Sequence, residues 1–94
     1  MCAESLSTAD FGAFQKLLAA AIASARSLDE IAAWLKSQQC LKSVQLADYL
    51  LKSNPPQRDF IVEFRMEDGS TVKKILNIFD LGNQQFKFRK LRDE

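Results

Sequence analysis

The chain has 94 residues, of which 47% are hydrophobic, and its formal net charge is +1. This length and apolar content predict one domain with one core and exclude an intrinsically disordered chain. Neither half of the chain carries the strong basic excess of a nucleic-acid-binding protein, so we expect no nucleic-acid partner. The longest apolar run, LLAAAIASA, is about half the length that crosses a bilayer, so no transmembrane helix is expected.

The residue types also restrict the chemistry that the chain can perform. The sequence contains no histidine, which removes the commonest general base and the commonest metal ligand. Cys2 and Cys40 lack the spacing of a metal site, and the three glycines are isolated rather than gathered in a phosphate-binding loop. We therefore predict a protein that is not an enzyme and that binds no metal or cofactor.

The first helix is expected near the N-terminus. Ser7 and Asp10 have the spacing of a capping box, in which each residue satisfies a free backbone N–H group of the other. Apolar residues at helical spacing then predict a helix over residues 8–25. Residues 1–7 are predicted to be a flexible leader, and residues 8–94 are predicted to form a single α+β domain.

The second helix is predicted over residues 28–37. Ser27 and Glu30 repeat the capping-box spacing, and an apolar stripe follows them. Because only a few residues join the two helices, we expect them to form a hairpin or to cross at a sharp angle.

The segment at residues 43–52 allows two interpretations. Its apolar residues alternate, which favours a strand, although Leu46, Tyr49 and Leu50 also suit helical spacing. We predict a strand here and keep a short helix as the alternative. Pro55–Pro56 ends the element in either case.

RDFIVEFRM predicts the next strand, and EDGS predicts the turn that follows it. A three-residue loop at 67–69 with a left-handed glycine places Phe64 opposite Val72 and Phe60 opposite Leu76. A one-residue slip would turn every side chain to the other face, so the hydrophobic pattern favours this register. It leaves one awkward pair, a lysine at 74 opposite a valine at 62.

The last strand is predicted from QFKFRKL, after a turn over residues 80–83. Phe86 and Phe88 would point to the core, and Lys87 and Arg89 would point away from it. The complete fold is then α+β, with two N-terminal helices packed on one face of a three- to four-stranded antiparallel β-meander. The sheet lacks a second apolar face, which favours a monomer.

Basic and aromatic residues alternate in this last strand. Lys87, Arg89 and Lys90 are therefore candidate binding residues for an anionic group, with Arg92 extending the run. The alternative is structural, because charges on an edge strand prevent unwanted pairing with other chains.

Two aromatic residues and two prolines are further candidates for a binding surface. Trp34 and Tyr49 are of the type that anchors protein interfaces, although both could instead pack at the rim of the core. Pro55 and Pro56 could form a recognition loop or serve only as a stiff connection between strands.

The N-terminus, MCAESLSTAD, places Cys2 directly after Met1 and follows it with small polar residues. This stretch resembles the mature N-terminus of bacterial lipoproteins, whose signal peptide is cut immediately before a cysteine that carries lipid. The resemblance implies lipidation of Cys2, membrane attachment through that lipid and, because Ala3 rather than Asp follows, the outer membrane. Cys2 could also be half of a disulfide with Cys40, or an ordinary second residue of a cytosolic protein.

These observations predict a small non-enzymatic binding or adaptor module of the bacterial cell envelope, located in the periplasm. Its partner would be another envelope protein or a ligand bound at the exposed face or edge of the sheet. The alternative is a cytosolic protein–protein interaction or inhibitor module.

Overall fold

A computed structural model describes residues 2–94; Met1 lies outside the described residues. A short 3-10 turn, Thr8–Asp10, leads into two helices, α1 (Phe11–Ser24) and α2 (Leu28–Lys36). The four strands that follow are β1 (Leu41–Leu51), β2 (Gln57–Arg65), β3 (Thr71–Gly82) and β4 (Gln85–Asp93).

The strands form one antiparallel sheet in the order β1-β2-β3-β4. The predicted α+β fold is therefore confirmed. The segment predicted at 43–52 is a strand, so its helical alternative is wrong. No helix within residues 2–94 has the length and hydrophobicity needed to cross a membrane.

Side chains at the helix starts satisfy backbone groups that the helices leave free. The Asp10 carboxylate accepts hydrogen bonds from the backbone N–H and the hydroxyl of Ser7, at 2.9 and 3.0 Å. These two bonds hold the pKa of Asp10 below its ordinary value. Before α2, the Ser27 hydroxyl accepts from the Glu30 N–H at 3.1 Å, while the Glu30 carboxylate accepts from the Arg26 N–H at 2.6 Å.

The core lies between the two helices and one face of the sheet, with α1 packed near β4 and α2 near β1. The Phe64 ring, which has no exposed surface, meets the rings of Phe11 and Phe14 edge-on, at centroid distances of 5.1 and 5.3 Å. Edge-on contacts between aromatic rings add stabilisation beyond the area that they bury. Both helices therefore pack on the same face of the sheet and leave its other face uncovered.

The β2–β3 hairpin has the register that the hydrophobic pattern predicts. Phe60 pairs with Leu76, and Phe64 pairs with Val72. Gly69 adopts a φ of 88°, the left-handed conformation that the three-residue loop requires. The predicted loop and register are both confirmed.

The awkward lysine of this register is accommodated at the edge of the core. Lys74 lies opposite Val62 on the face that the helices cover. Its ammonium group reaches the Asp93 carboxylate at 2.6 Å and lies 4.9 Å from the centroid of the Phe11 ring. A long aliphatic stem lets a lysine cover apolar surface while its charge finds a partner outside the core.

The N-terminal segment, predicted to be a flexible leader over 1–7, is tied to the domain. The Leu6 N–H donates to the Arg65 carbonyl, and the Leu6 carbonyl accepts from the Glu67 N–H, both at 2.9 Å. The Leu6 side chain is only 4% exposed, and a disulfide joins Cys2 to Cys40. In the structure a buried leucine, two backbone hydrogen bonds and a crosslink therefore hold this segment against the domain.

The last hairpin turns later than predicted. Gly82 pairs with Gln85, so the turn consists of Asn83 and Gln84 rather than residues 80–83. Asn83 and Gln84 have φ angles of 53° and 59°. Two-residue hairpin loops of this kind need positive φ at both positions, because their twist then matches that of the strands.

Candidate functional site

The sheet face that points away from the helices is called the open face here, and an irregularity in β4 decides its composition. Phe88 and Lys90 pair with consecutive residues of β3, so Arg89 is an extra residue and stands with Lys90 opposite Asn77. Such a β-bulge interrupts the alternation of side chains between the two faces. Leu91, the next apolar residue, thereby packs against the core.

The bulge brings the cations of β4 together. Strict alternation would divide them between the two faces, whereas the observed pairing puts all four on the open face, a set called the basic row here: Lys87, Arg89, Lys90 and Arg92. The residues opposite them on β3 are uncharged: Phe79, Asn77 and Ile75. Lys87, Arg89 and Lys90, predicted as binding residues from the sequence, thus share one surface.

A hydrogen-bonded polar cluster crosses the open face beside the basic row. Its members come from all four strands: Tyr49, Asp59, Asn77, Arg89 and Arg92. The Asp59 carboxylate accepts from the Tyr49 hydroxyl at 2.9 Å and from the Asn77 amide at 2.7 Å, and Arg92 lies 3.5 Å away. Asp59 has no exposed surface, and Asn77 is only 2% exposed. A buried carboxylate is costly unless its oxygens are paired, and these partners pair it.

A second irregularity, in β1, builds the other end of the cluster. Residues 47–49 of β1 all stand opposite the single residue Asp59 of β2. This bulge lets the Tyr49 hydroxyl reach the carboxylate, although 44% of the Tyr49 surface remains exposed. The hydrogen bond to Asp59 raises the pKa of Tyr49 above its ordinary value, because it favours the protonated phenol.

Arg89 is the cation that the cluster orients. Its guanidinium group donates to the Asn77 side-chain oxygen at 3.3 Å and lies over the Phe79 ring, 5.8 Å from the ring centroid. Arginine binds carboxylates through a planar fork of N–H groups, and a cation–π contact with an aromatic ring restricts where the guanidinium group lies. Asn77 and Phe79 thus both contact the Arg89 side chain, while Arg89 remains exposed to solvent.

Of the four other predicted binding residues, Trp34, Tyr49, Pro55 and Pro56, three lie in other places. Trp34 is half-buried in the helix layer, with its ring 6.0 Å from the Phe14 ring, so it packs at the rim of the core. Pro55 and Pro56 lie in the connection between β1 and β2, and the Pro56 carbonyl accepts a hydrogen bond from β3 at 2.8 Å. Among these residues the structure brings only Tyr49 to the surface that carries the basic row.

Sequence reasoning missed Asp59 and Asn77. Each lies in a predicted strand next to apolar residues, and the predicted β2–β3 register already places the two opposite one another. That pairing of two polar residues between apolar neighbours was the signal in the sequence that could have indicated a polar cluster on the open face. Their burial, however, depends on Tyr49 and on the bulge in β1.

Cys2, the predicted lipidation site, lies at the crosslink. Its sulfur is bonded to that of Cys40, which has no exposed surface, and its backbone N–H donates to the Gln38 side-chain oxygen at 3.2 Å. A lipid attached through the Cys2 sulfur would need that same sulfur. The disulfide and a sulfur-linked lipid therefore exclude one another in any single molecule.

Within residues 2–94, no group of three or more His, Cys, Asp or Glu side chains is arranged to hold a metal ion. Comparisons with protein-family models, with curated proteins and with solved structures find no match. The open face, with its basic row and polar cluster, is the surface from which a function can be inferred.

Proposed function

We propose that this chain is a non-enzymatic binding module of the bacterial cell envelope, which captures its partner on the open face of the sheet. The observation that carries the proposal is the convergence of four cations of one strand on that uncovered face. A charged row on a rigid sheet suits recognition, because the backbone ladder fixes the spacing of the side chains before any partner arrives.

The disulfide supports a location outside the cytosol. Disulfides persist in the periplasm and in secreted proteins, whereas cytosolic reductants keep most thiols reduced. The Cys2–Cys40 bond also fixes the N-terminal segment to the connection between α2 and β1, so it serves the fold. The cytosolic alternative would need both thiols reduced and the N-terminal segment held without a crosslink, by the contacts of Leu6 and the hydrogen bond from Cys2 to Gln38.

A lipid-anchored form is the second version of the same proposal, and the resemblance of CAES to lipoprotein N-termini supports it. In that form Cys2 would carry acyl chains, and stable anchoring takes more than one chain. Cys40 would then be a free, buried thiol. The two versions therefore differ in the mass of the chain and in the state of Cys40.

The deciding experiment is the intact mass of the protein isolated from its native host, measured without reductant after separation of cytosol, periplasm and membranes. Recovery from the periplasm as an unmodified chain with no free thiol would support the disulfide form. Added acyl mass in the membrane fraction would support the lipid-anchored form. An unmodified chain with two free thiols in the cytosol would overturn the envelope proposal.

A further inference from the structure

The basic row carries charge that the described part of the chain leaves unpaired. Two ion pairs occur within residues 2–94, Lys74–Asp93 and Arg92–Asp59. Lys87, Arg89 and Lys90 therefore have no carboxylate partner there, although the chain as a whole is nearly neutral. The open face beside β4 is a cationic surface on a protein with little net charge.

The bulge adds Arg89 to this surface without altering the rest of the strand. Because Arg89 is the extra residue, a chain lacking it would still pair Lys90 with Asn77 and keep Leu91 against the core. The apolar pattern of β4 therefore does not require this residue. β-Bulges commonly serve to re-aim a side chain, and here the re-aimed side chain is a guanidinium group.

We propose that the partner is a protein with an acidic segment that lies along the basic row, and that Arg89 anchors one of its carboxylates. This inference rests on the proposed binding function. Its support is the charge of the row and the hydrogen bonds that run from Tyr49 through Asp59 and Asn77 to Arg89. Asn77 and Asp59 act as positioning residues, because they orient the guanidinium group before the partner binds.

The geometry favours an acidic protein segment over other occupants of this surface. A second copy docked through the same surface would bring cations against cations, which is repulsive. Nucleic acids and anionic membranes present phosphates over a wide area and select proteins with a strong basic excess, which this nearly neutral chain lacks. Protection of the edge strand requires charge but not an oriented guanidinium group. A carboxylate on an extended segment fits a single row of cations, and it can accept two parallel hydrogen bonds from the guanidinium fork.

The length of the row sets the size of the segment. Residues 87–92 of an extended strand span about 17 Å, at roughly 3.3 Å per residue. An extended acidic peptide of similar length can therefore place several carboxylates within reach of Lys87, Arg89 and Lys90.

The test uses the whole chain, oxidised and labelled with nitrogen-15, titrated with a short blocked oligoglutamate peptide. We expect amide resonances of β4 and of the neighbouring part of β3 to shift, and the affinity to fall as salt is added. Arg89→Gln should weaken binding about 10-fold or more, since it removes charge-assisted hydrogen bonds. Arg89→Lys keeps the charge but loses the fork, so it should restore only part of the affinity.

A matched pair of double variants separates the surface from the total charge. Lys87→Gln with Lys90→Gln should weaken binding about 5-fold. Lys16→Gln with Lys36→Gln, on the exposed sides of the two helices, removes the same net charge and should leave binding unchanged. Each variant is first checked for unchanged amide resonances of the core, so that loss of binding is not confused with loss of fold.

Three results would overturn the inference: no shifts with oligoglutamate, shifts outside the open face, or equal effects of the two double variants. Tighter binding to phosphatidylglycerol vesicles or to oligodeoxythymidylate than to oligoglutamate would also overturn it, because the partner would then be a membrane or a nucleic acid rather than an acidic protein segment. If the native protein is nevertheless recovered from the periplasm, the proposed envelope location would hold and only the acidic partner would be wrong. A cytosolic, reduced chain would instead remove the proposed function itself.

Discussion

Loss of the crosslink between Cys2 and Cys40 should lower the stability of the domain substantially. The two cysteines are 38 residues apart, and the crosslink restricts the unfolded chain by closing a loop of that length. Loop-closure entropy places the stabilisation at about 4 kcal/mol, between about 3 for a 15-residue loop and about 4.7 for a 100-residue loop. A domain of this size gains roughly 5–15 kcal/mol from folding, so the reduced chain should remain folded with a much smaller margin.

The assay is equilibrium unfolding by urea and by heat, followed by circular dichroism, with and without reductant. A loss of about 4 kcal/mol should lower the melting temperature by roughly 15–30 °C. Cys2→Ala should behave as the reduced wild-type chain does, because Cys40 remains as a small buried thiol in both. A chain acylated at Cys2 should share this lower stability, which links the measurement to the lipid-anchored form.

A control separates the crosslink from the packing of the segment that it holds. Leu6→Ala leaves the disulfide intact but removes a buried side chain that is 4% exposed, which should cost about 2–5 kcal/mol in oxidised and reduced protein alike. Identical unfolding midpoints for oxidised and reduced wild-type protein would refute the reasoning, as would free thiols in protein that has never met a reductant.

Two further predictions concern the polar cluster and the backbone. Tyr49 is the single tyrosine of the chain, so phenolate absorbance reports it alone; its pKa should lie above 10.0 and fall toward that value in Asp59→Asn. Because the hydrogen bond to Asp59 raises the pKa of Tyr49 on folding, its contribution to stability is complete below pH 10 and is lost as the pH rises through the pKa of the folded state. Equal titration midpoints of Tyr49 in the wild-type and Asp59→Asn proteins would contradict the assigned hydrogen bond. Gly69→Ala should destabilise the protein by about 1–2 kcal/mol because its φ is 88°. Gly12→Ala, in a helix with nothing within 4 Å of the added methyl group, should stabilise the protein by about 0.5 kcal/mol. If urea unfolding showed that both glycine substitutions change the free energy of unfolding in the same direction, this contrast would be contradicted.

The candidate surface was only partly predictable. The sequence identified Lys87, Arg89 and Lys90 as cations on one strand, because they stand together in the chain. It did not place Lys90 and Arg92 on the same face as Lys87 and Arg89, because strict alternation does not allow for an inserted residue. It also gave no reason to expect Asp59 to be fully buried on the uncovered face of the sheet.

The amino-acid sequence by itself determined both helices, three of the four strands and the central register, and it left β1 open between a strand and a helix. Capping pairs and apolar spacing act within a few residues, so they located α1, α2, β2, β3 and β4. The β2–β3 pairing followed from matching two neighbouring hydrophobic patterns across a short loop. The features that only the tertiary structure decided all join residues far apart in the chain. The Cys2–Cys40 crosslink, the docking of Leu6 and the four-strand polar cluster depend on which distant residues come into contact in the folded chain. A local sequence pattern does not specify those contacts.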